Sequence, residues 1–364
     1  MKVLILSCNT GGGHNSSGYA IKEYFDESGV ECDMKDALSF CSDKLSSFVS
    51  RGHAFLYRHL PRLFSFGYGY EEKHSVKLLY REFSKGAIAL CKLIKEAEYD
   101  TVICVHVFAA FMLSSARREH SLDVRAFFVA TDYTCSPGVD ELDMDAFFIP
   151  HKMLTEEFET KGIPSERIVP SGIPVKKSFL ITDQKNTARK RLGIPLQKKI
   201  ILFSCGSMGC GPIEKVTSRL SKLLGKDEEL IVICGTNAAL KARLTRKIKS
   251  PKVKILGYCT AMSDYMSAAD VYMTKAGGLS TTEAITCRLP LLCIDAVGGC
   301  ETHNLDFMQK IGVTEVSKNA KELAANAIKY VRDTRLCMML SHNMNKHFSF
   351  NAAENLCKYV IEKT

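Results

Sequence analysis

Two stretches of this chain open in the same way, and that repetition limits what it can fold into. Val3–Leu6 (VLIL) runs into SCNTGGGH and Lys199–Phe203 (KIILF) runs into SCGSMGCG, so a buried strand meets a glycine loop at the head of each half. Apolar strands then alternate with helix-period segments. After the strand Lys2–Ser7 and the helix Gly18–Glu27, the first half reads as strand Val30–Asp36, long helix Glu71–Glu98, strand Thr101–His106, helix Phe108–Glu119, strands Arg125–Ala130 and Ala146–Pro150, and helix Lys152–Lys161. The second half places strands at Leu230–Cys234, Val253–Gly257, Asp270–Lys275 and Leu289–Ile294, and helices at Lys321–Arg332 and Leu336–Lys363. Such alternation means parallel, doubly wound sheets. The expectation is an α/β chain of two Rossmann-like domains, residues 1–175 and 176–345, with a last helix within 346–364 crossing back onto the first. The junction is read at SGIPV, before the polar stretch Lys176–Arg191.

The densest chemistry lies between Ala276 and Asn304. Gly277 and Gly278 let the backbone bend into a helix whose start Ser280, Thr281 or Thr282 could cap, and a helix start with open amides binds an anion without a metal. Glu283, in the first turn, would repel a phosphate and suits hydroxyls, with those of a ribose as the obvious partners. After the strand Leu289–Ile294 and a second glycine turn, Glu301 and Asn304 share one face of the next helix. An ordinary pair of βαβ turns, glycine-rich for packing alone, is the competing reading of this stretch.

Composition narrows the partners. With 364 residues, 46% of them hydrophobic, the chain can bury two cores. A net charge of +9 calls for an anionic partner, and the absence of RNA-binding aromatic motifs and zinc-finger spacings argues against nucleic acid. Fifteen cysteines without a CxxC pair, and Met1-Lys2 leading directly into a strand, point to a reducing cytoplasm rather than a secreted disulfide scaffold. The longest uncharged run, Thr101–Ala116, contains His106 and is too short to span a bilayer.

Three polar side chains arrive at strand ends in the first half: His14, His106 and Asp132. A histidine and a carboxylate at one sheet edge can form a base with its orienting partner, although His14 could instead cap the helix that it opens. In Ser46–Tyr70, Arg51, Arg58 and Arg62 are interleaved with Phe55, Tyr57, Phe64 and Phe66 around a proline. That mixture suits either an anionic membrane interface or an amphipathic helix packed on its own domain. Asp143-Met144-Asp145 has the form of a metal-binding DxD but sits in an acidic loop, and it is read as solvated.

GGLSTTEA followed by GGCETHN resembles the donor-binding signature GGxTxxEA…PGQExxN of GT-B glycosyltransferases, in the branch containing MurG, monogalactosyldiacylglycerol synthase and bacterial diacylglycerol glucosyltransferases. GGGH, TDY, GSMG and CGTN also look like family segments, so the resemblance covers nearly the whole chain. It implies a GT-B fold, two Rossmann-like domains facing across a cleft, and transfer of a hexose from a UDP-sugar to a lipid acceptor, most naturally diacylglycerol, with inversion and without a metal or other cofactor. Glu283 would hold the ribose, and Cys300, Glu301 and Asn304 the hexose. Gly206, Ser207, Met208 and Gly209 would lie under the diphosphate, Gly235, Asn237, Tyr258 and Cys259 near the base, and Gly277, Gly278, Ser280 and Thr281 at the helix start. Gly12, Gly13, His14, His106, Asp132 and the arginine–aromatic segment would serve the acceptor and the chemistry, on the inner face of the cell membrane. The chain departs from the signature at Gly298-Gly299-Cys300-Glu301, where the turn proline is missing and a thiol replaces an amide, which bears on hexose identity. A polyprenyl-linked acceptor, a UDP-sugar epimerase and a non-catalytic nucleotide-sugar sensor are the other functions considered.

Overall fold

The computed structural model describes residues 1–42, 83–180, 185–294 and 299–363. It divides into two compact units, Met1–Lys176 with Ser349–Thr364, and Lys177–Phe348. The arginine–aromatic segment, including Arg51, Phe55, Tyr57, Arg58, Arg62, Phe64 and Phe66, and the first part of the long helix expected from Glu71 lie outside the described residues.

The first unit is built on six strands: β1 (Lys2–Ser7), β2 (Glu31–Asp36), β3 (Thr101–Cys104), β4 (Arg125–Val129), β5 (Ala146–Ile149) and β6 (Ile168–Pro170). Their order is β2-β1-β3-β4-β5-β6, and every pairing is parallel. Runs such as TVIC and AFFI are apolar on both faces because helices cover both. On one face Val3, Ile5, Ile103, Phe127 and Phe148 pack with Ile21 and Phe25 of the helix Gly12–Glu27 and with Leu356, Cys357 and Val360 of the helix Ala352–Glu362.

The second unit repeats the plan with β7 (Lys199–Ser204), β8 (Glu228–Ile233), β9 (Val253–Leu256), β10 (Val271–Lys275), β11 (Leu291–Ile294) and β12 (Thr314–Ser317), ordered β12-β11-β10-β7-β8-β9 and again all parallel. Its core joins Ile201, Phe203, Val232, Met273 and Ile294 to Val216, Leu240, Leu323 and Ala327 from the helices on that face.

Several boundaries differ from the sequence reading. The first helix starts at Gly12 rather than Gly18, because Gly11 takes the extended cap conformation and a side-chain chain organises the loop before it. In that chain Ser7 Oγ donates to Asn15 Oδ1, Asn15 Nδ2 to Asn9 Oδ1, and Asn9 Nδ2 to Asp36 Oδ2, at 2.6–2.7 Å. The terminal helix expected over Leu336–Lys363 is two helices, Thr334–His347 and Ala352–Glu362, interrupted at FSFN, and only the second belongs to the first unit. The short edge strand β12 was not anticipated.

Leu356 is fully buried against a sheet whose strands all come from the first 170 residues of the chain. Leu356→Ala should therefore destabilise the first unit by about 2–5 kcal/mol, through lost transfer energy plus the cavity left behind. Urea unfolding followed by circular dichroism checks this, and a midpoint equal to wild type would show that the terminal helix is not part of that core.

Candidate active site and nucleotide-binding edge

In an open parallel sheet all strands end at one edge, and ligands collect where the strand order reverses. In the first unit that point lies between β1 and β3. The loops there deliver Thr10, His14 and His106, and the adjacent β4 delivers Thr131 and Asp132.

The hydrogen bonds assign a tautomer to each histidine. His14 Nδ1 lies 3.0 Å from the Val105 carbonyl oxygen and 2.8 Å from Thr131 Oγ1. A carbonyl only accepts, so Nδ1 carries the proton and Nε2 keeps its lone pair. His106 is the reverse case: its Nδ1 accepts the amide proton of Phe108 at 3.1 Å, capping the helix Val107–His120, and Nε2–H donates to Thr10 Oγ1 at 3.1 Å. The two rings meet edge to face, 4.4 Å apart. Burial lowers the pKa of His14, and the nearby Asp132 carboxylate and the Val105 carbonyl offset this only in part, so the ring is neutral at pH 7. Neutral, oriented and unprotonated at Nε2, His14 is built to take a proton. His106, with both nitrogens engaged, is built to hold its helix in place.

Gly12 and Gly13 form the first turn of the helix that carries His14. Asp132 is half-buried, and the loop that follows it is fixed by Glu157, whose Oε1 accepts from Thr134 Oγ1 and from the Cys135 amide, both at 2.7 Å. The DxD aspartates keep their side chains open to solvent, 33% exposed at Asp143 and 42% at Asp145, and Arg117 and a backbone amide also hold them. Arg117 pairs with the Asp145 carboxylate at 2.9 Å and donates to the Asp143 carbonyl at 2.9 Å, and the other Asp145 oxygen accepts the Ala126 amide at 2.7 Å.

In the second unit the strand order reverses between β7 and β10. Gly206, Ser207, Met208 and Gly209 form the loop after β7, which presses against the loop after β8. A Cβ on Gly209 would lie 2.1 Å from the Cys234 carbonyl oxygen, and one on Gly235 2.1 Å from that of Ser207, with φ at +59° and +57°. Only glycine satisfies both the contact and the conformation. Asn237 staples these loops, donating from Nδ2 to the Gly209 carbonyl at 3.2 Å and accepting the Leu240 amide at 3.0 Å as a helix cap. Tyr258 and Cys259 follow the edge strand β9, with the tyrosine two-thirds exposed.

Across the reversal point, Gly277 and Gly278 open the helix Gly278–Thr286. The expected hydroxyl caps are not formed. Thr281 donates to the Gly277 and Gly278 carbonyls at 2.9 and 3.0 Å, Thr282 to Gly278 at 2.7 Å, and Ser280 to Gly277 at 3.3 Å. Hydroxyls inside a first turn reach back to carbonyls three and four residues earlier, so the first-turn amides have no side-chain cap and point outward from the sheet edge. Glu283 is half-buried on this helix. Asn304 is fully buried and donates to the Ala276 carbonyl at 3.0 Å, tying the helix Cys300–Lys310 to the β10 loop, while Cys300 opens that helix half-buried.

One residue here escaped the sequence reading. Lys275 ends β10, and its buried ammonium pairs with the buried Glu301 carboxylate, beside the positions where Gly206 and Gly277 would each carry a Cβ. Burial alone would lower its pKa, but Glu301 outweighs this and the net shift is upward, so the lysine is charged. The signal available in the sequence was a lone cation at the end of an apolar strand, directly before AGG.

Two family models match the chain: "Monogalactosyldiacylglycerol (MGDG) synthase" over residues 14–175 and "Glycosyl transferases group 1" over residues 184–347. The chain is 22% identical over 371 residues to a processive diacylglycerol beta-glucosyltransferase of Bacillus thuringiensis, spanning 100% of this chain and 94% of that protein. Among solved structures it is similar to MurG of Acinetobacter baumannii, with a TM-score of 0.63 at 14% identity, covering 100% of this chain and 99% of the other. It is also similar to HepE of Anabaena in complex with UDP and glucose, with a TM-score of 0.58 at 13% identity over the whole of both chains.

Lys275→Met leaves Glu301 buried without its cation and should cost about 3–5 kcal/mol of stability in the second unit. Replacing the partner too, as in Lys275→Met with Glu301→Leu, should recover most of that loss. Urea unfolding of the two variants checks the pair, and equal losses in both would show that the two charges are not coupled.

Proposed function

From the premise that this chain is a GT-B glycosyltransferase of the family of MurG, monogalactosyldiacylglycerol synthase and the processive diacylglycerol glucosyltransferases, we propose that it transfers a hexose from a UDP-sugar to diacylglycerol, with inversion and without a metal. The observation that carries the mechanism is His14, neutral and with an unprotonated Nε2 at the reversal point of the first sheet. Inversion in one displacement needs a base for the acceptor proton and a stabilised leaving group. The lipid hydroxyl attacks the anomeric carbon, its proton passes to His14 Nε2, and the bond from that carbon to the diphosphate oxygen breaks. The departing UDP carries the negative charge, which the uncapped amides of the helix Gly278–Thr286 and the ammonium of Lys275 are suited to stabilise. Glu283 accepts from the ribose hydroxyls, and Glu301, next to the substituted Cys300, contacts the hexose. Asp132 supports the imidazolium electrostatically.

The lipid acceptor is supported by the full-length likeness to an enzyme named for diacylglycerol, and the nucleotide by a similar fold that holds UDP and glucose. Engagement of the DxD aspartates by Arg117 and the Ala126 amide supports metal-independent donor binding. No helix among the described residues is long and apolar enough to cross a membrane, and we place the enzyme in the cytoplasm, peripherally on the inner face of the cell membrane, with the net charge of +9 meeting anionic lipid.

The direct test supplies UDP-glucose, UDP-galactose or UDP-N-acetylglucosamine with diacylglycerol in detergent containing EDTA. A β-linked glycolipid from one donor is expected, whereas no product without Mn²⁺, or an α-linked product, would refute the metal-free inverting reading. Co-sedimentation with phosphatidylglycerol vesicles should accompany activity and weaken with salt.

The base makes its own prediction. His14→Ala should lower kcat by roughly 10²-fold to 10⁴-fold with UDP affinity nearly unchanged, because the nucleotide site belongs to the other unit, and Asp132→Asn should lower it less. His14 acts in its neutral form, and its pKa lies below the ordinary 6.5. Activity should therefore persist below pH 6.5 and be lost as pH falls through the lowered pKa. The same shift stabilises the fold above pH 6.5 and withdraws that stability on acidification. Turnover of His14→Ala near the wild-type rate would remove the assignment.

A further inference from the structure

His14 presents Nε2 to the reaction, so what happens at its other nitrogen decides how strong a base it is. Nδ1–H meets two acceptors, the Val105 carbonyl at 3.0 Å and Thr131 Oγ1 at 2.8 Å. The carbonyl is fixed by the backbone at the end of β3, where the Val105 amide itself donates to Leu6 at 3.0 Å. Thr131 is buried at the end of β4, directly before Asp132. The groups around the ring are therefore Thr131 and Asp132 from the β4 loop, the Val105 carbonyl from the β3 loop, and the neutral His106 edge from the next helix.

We infer that Thr131 is a positioning residue of the transfer reaction: its hydroxyl oxygen, with the Val105 carbonyl, clamps His14 Nδ1–H and stabilises the imidazolium formed when Nε2 receives the acceptor proton. The inference rests on the reading of His14 as the base. A hydrogen bond to an N–H is stronger when the donor ring is charged, so two oxygens on Nδ1–H favour the protonated ring over the neutral one. This gives an oriented, half-buried base a hydroxyl and a carbonyl in the place where a carboxylate often sits. An ion pair formed there would be costly to desolvate, whereas two neutral dipoles hold the tautomer without adding a charge. The clamp also fixes the ring plane, because bonds to β3 and β4 at one nitrogen leave the ring little freedom to turn about its side-chain torsions.

The experiment compares Thr131→Val, which keeps the shape and removes the oxygen, with Thr131→Ser, which restores it. For each full-length variant, kcat and donor KM are measured across pH, and the His14 pKa is read by NMR of protein carrying isotope-labelled histidine. Thr131→Val should lower kcat roughly 10-fold with KM for the donor unchanged, and should lower the His14 pKa and the acid limb by about one pH unit; Thr131→Ser should return both toward wild type. A slower Thr131→Val whose His14 pKa is unmoved would make Thr131 a packing residue and overturn the inference, as would a Thr131→Ser no better than Thr131→Val. If Thr131→Val does not fold, the same readouts on Thr131→Ala and Thr131→Ser decide. Activity retained by His14→Ala would defeat the base assignment separately, since the NMR titration reports the clamp whether or not His14 is the base.

Discussion

Parallel pairing is the constraint on which the rest of this molecule depends. With every strand in both sheets running one way, all chain exits fall on a single edge of each sheet, and each order reversal opens a gap between two loops that diverge to opposite faces. In the first sheet the gap receives the histidine pair, and in the second the glycine loops and the Lys275–Glu301 pair. Neither arrangement needs long reach from any side chain, because β1 with β3 and β7 with β10 are neighbours in the sheet. The site is thus made of residues that are distant in sequence and adjacent by register.

The two edges solve different electrostatic problems. At the first, the ring proposed as the base is kept neutral by burial, while Asp132 and the Val105 carbonyl limit how far its basicity falls. At the second, a permanent cation sits beside a carboxylate and a helix start, where negative charge can be received. The cysteines follow the same logic of burial: Cys205 and Cys293, on or next to the central strands, have thiols pushed up to about 12 and act as small apolar side chains.

Much of this was legible in the sequence, and what was missed has identifiable causes. Apolar runs without alternation gave the strands, and the glycine pairs marked the loops that carry Gly206, Gly235 and Gly277, since close backbone approach leaves its mark as missing side chains. His14 stood out because a titratable ring at the end of such a loop is unusual. Lys275 was hidden because it continues an apolar strand and its partner Glu301 comes twenty-six residues later, a pairing that only the β10–β11 register and the following helix create. Thr131, in the TDY segment just past its strand, was given no role of its own, since the oxygen that gives it meaning belongs to Val105 at the end of a different strand. Hydroxyls near a helix start suggested caps, yet in Thr281 and Thr282 they lie inside the first turn, where the carbonyls behind them are the nearer partners. The break at FSFN was not placed, although a last helix within 346–364 was expected on the first unit, because the segments on both sides of it are good helix.

That break sets an order of events during synthesis. The chain completes residues 177–348 before it makes the helix 352–362 that covers Ile21, Phe25 and Val3. A chain emerging from the ribosome therefore carries its amino-terminal sheet with this face only partly covered, by the helix Gly12–Glu27, until residues 352–362 have been made, while the unit encoded in between already has all of its strands. The earliest sheet to be translated is the last to close, and during that interval its exposed face is the part of the nascent chain that most needs shielding from other hydrophobic surfaces.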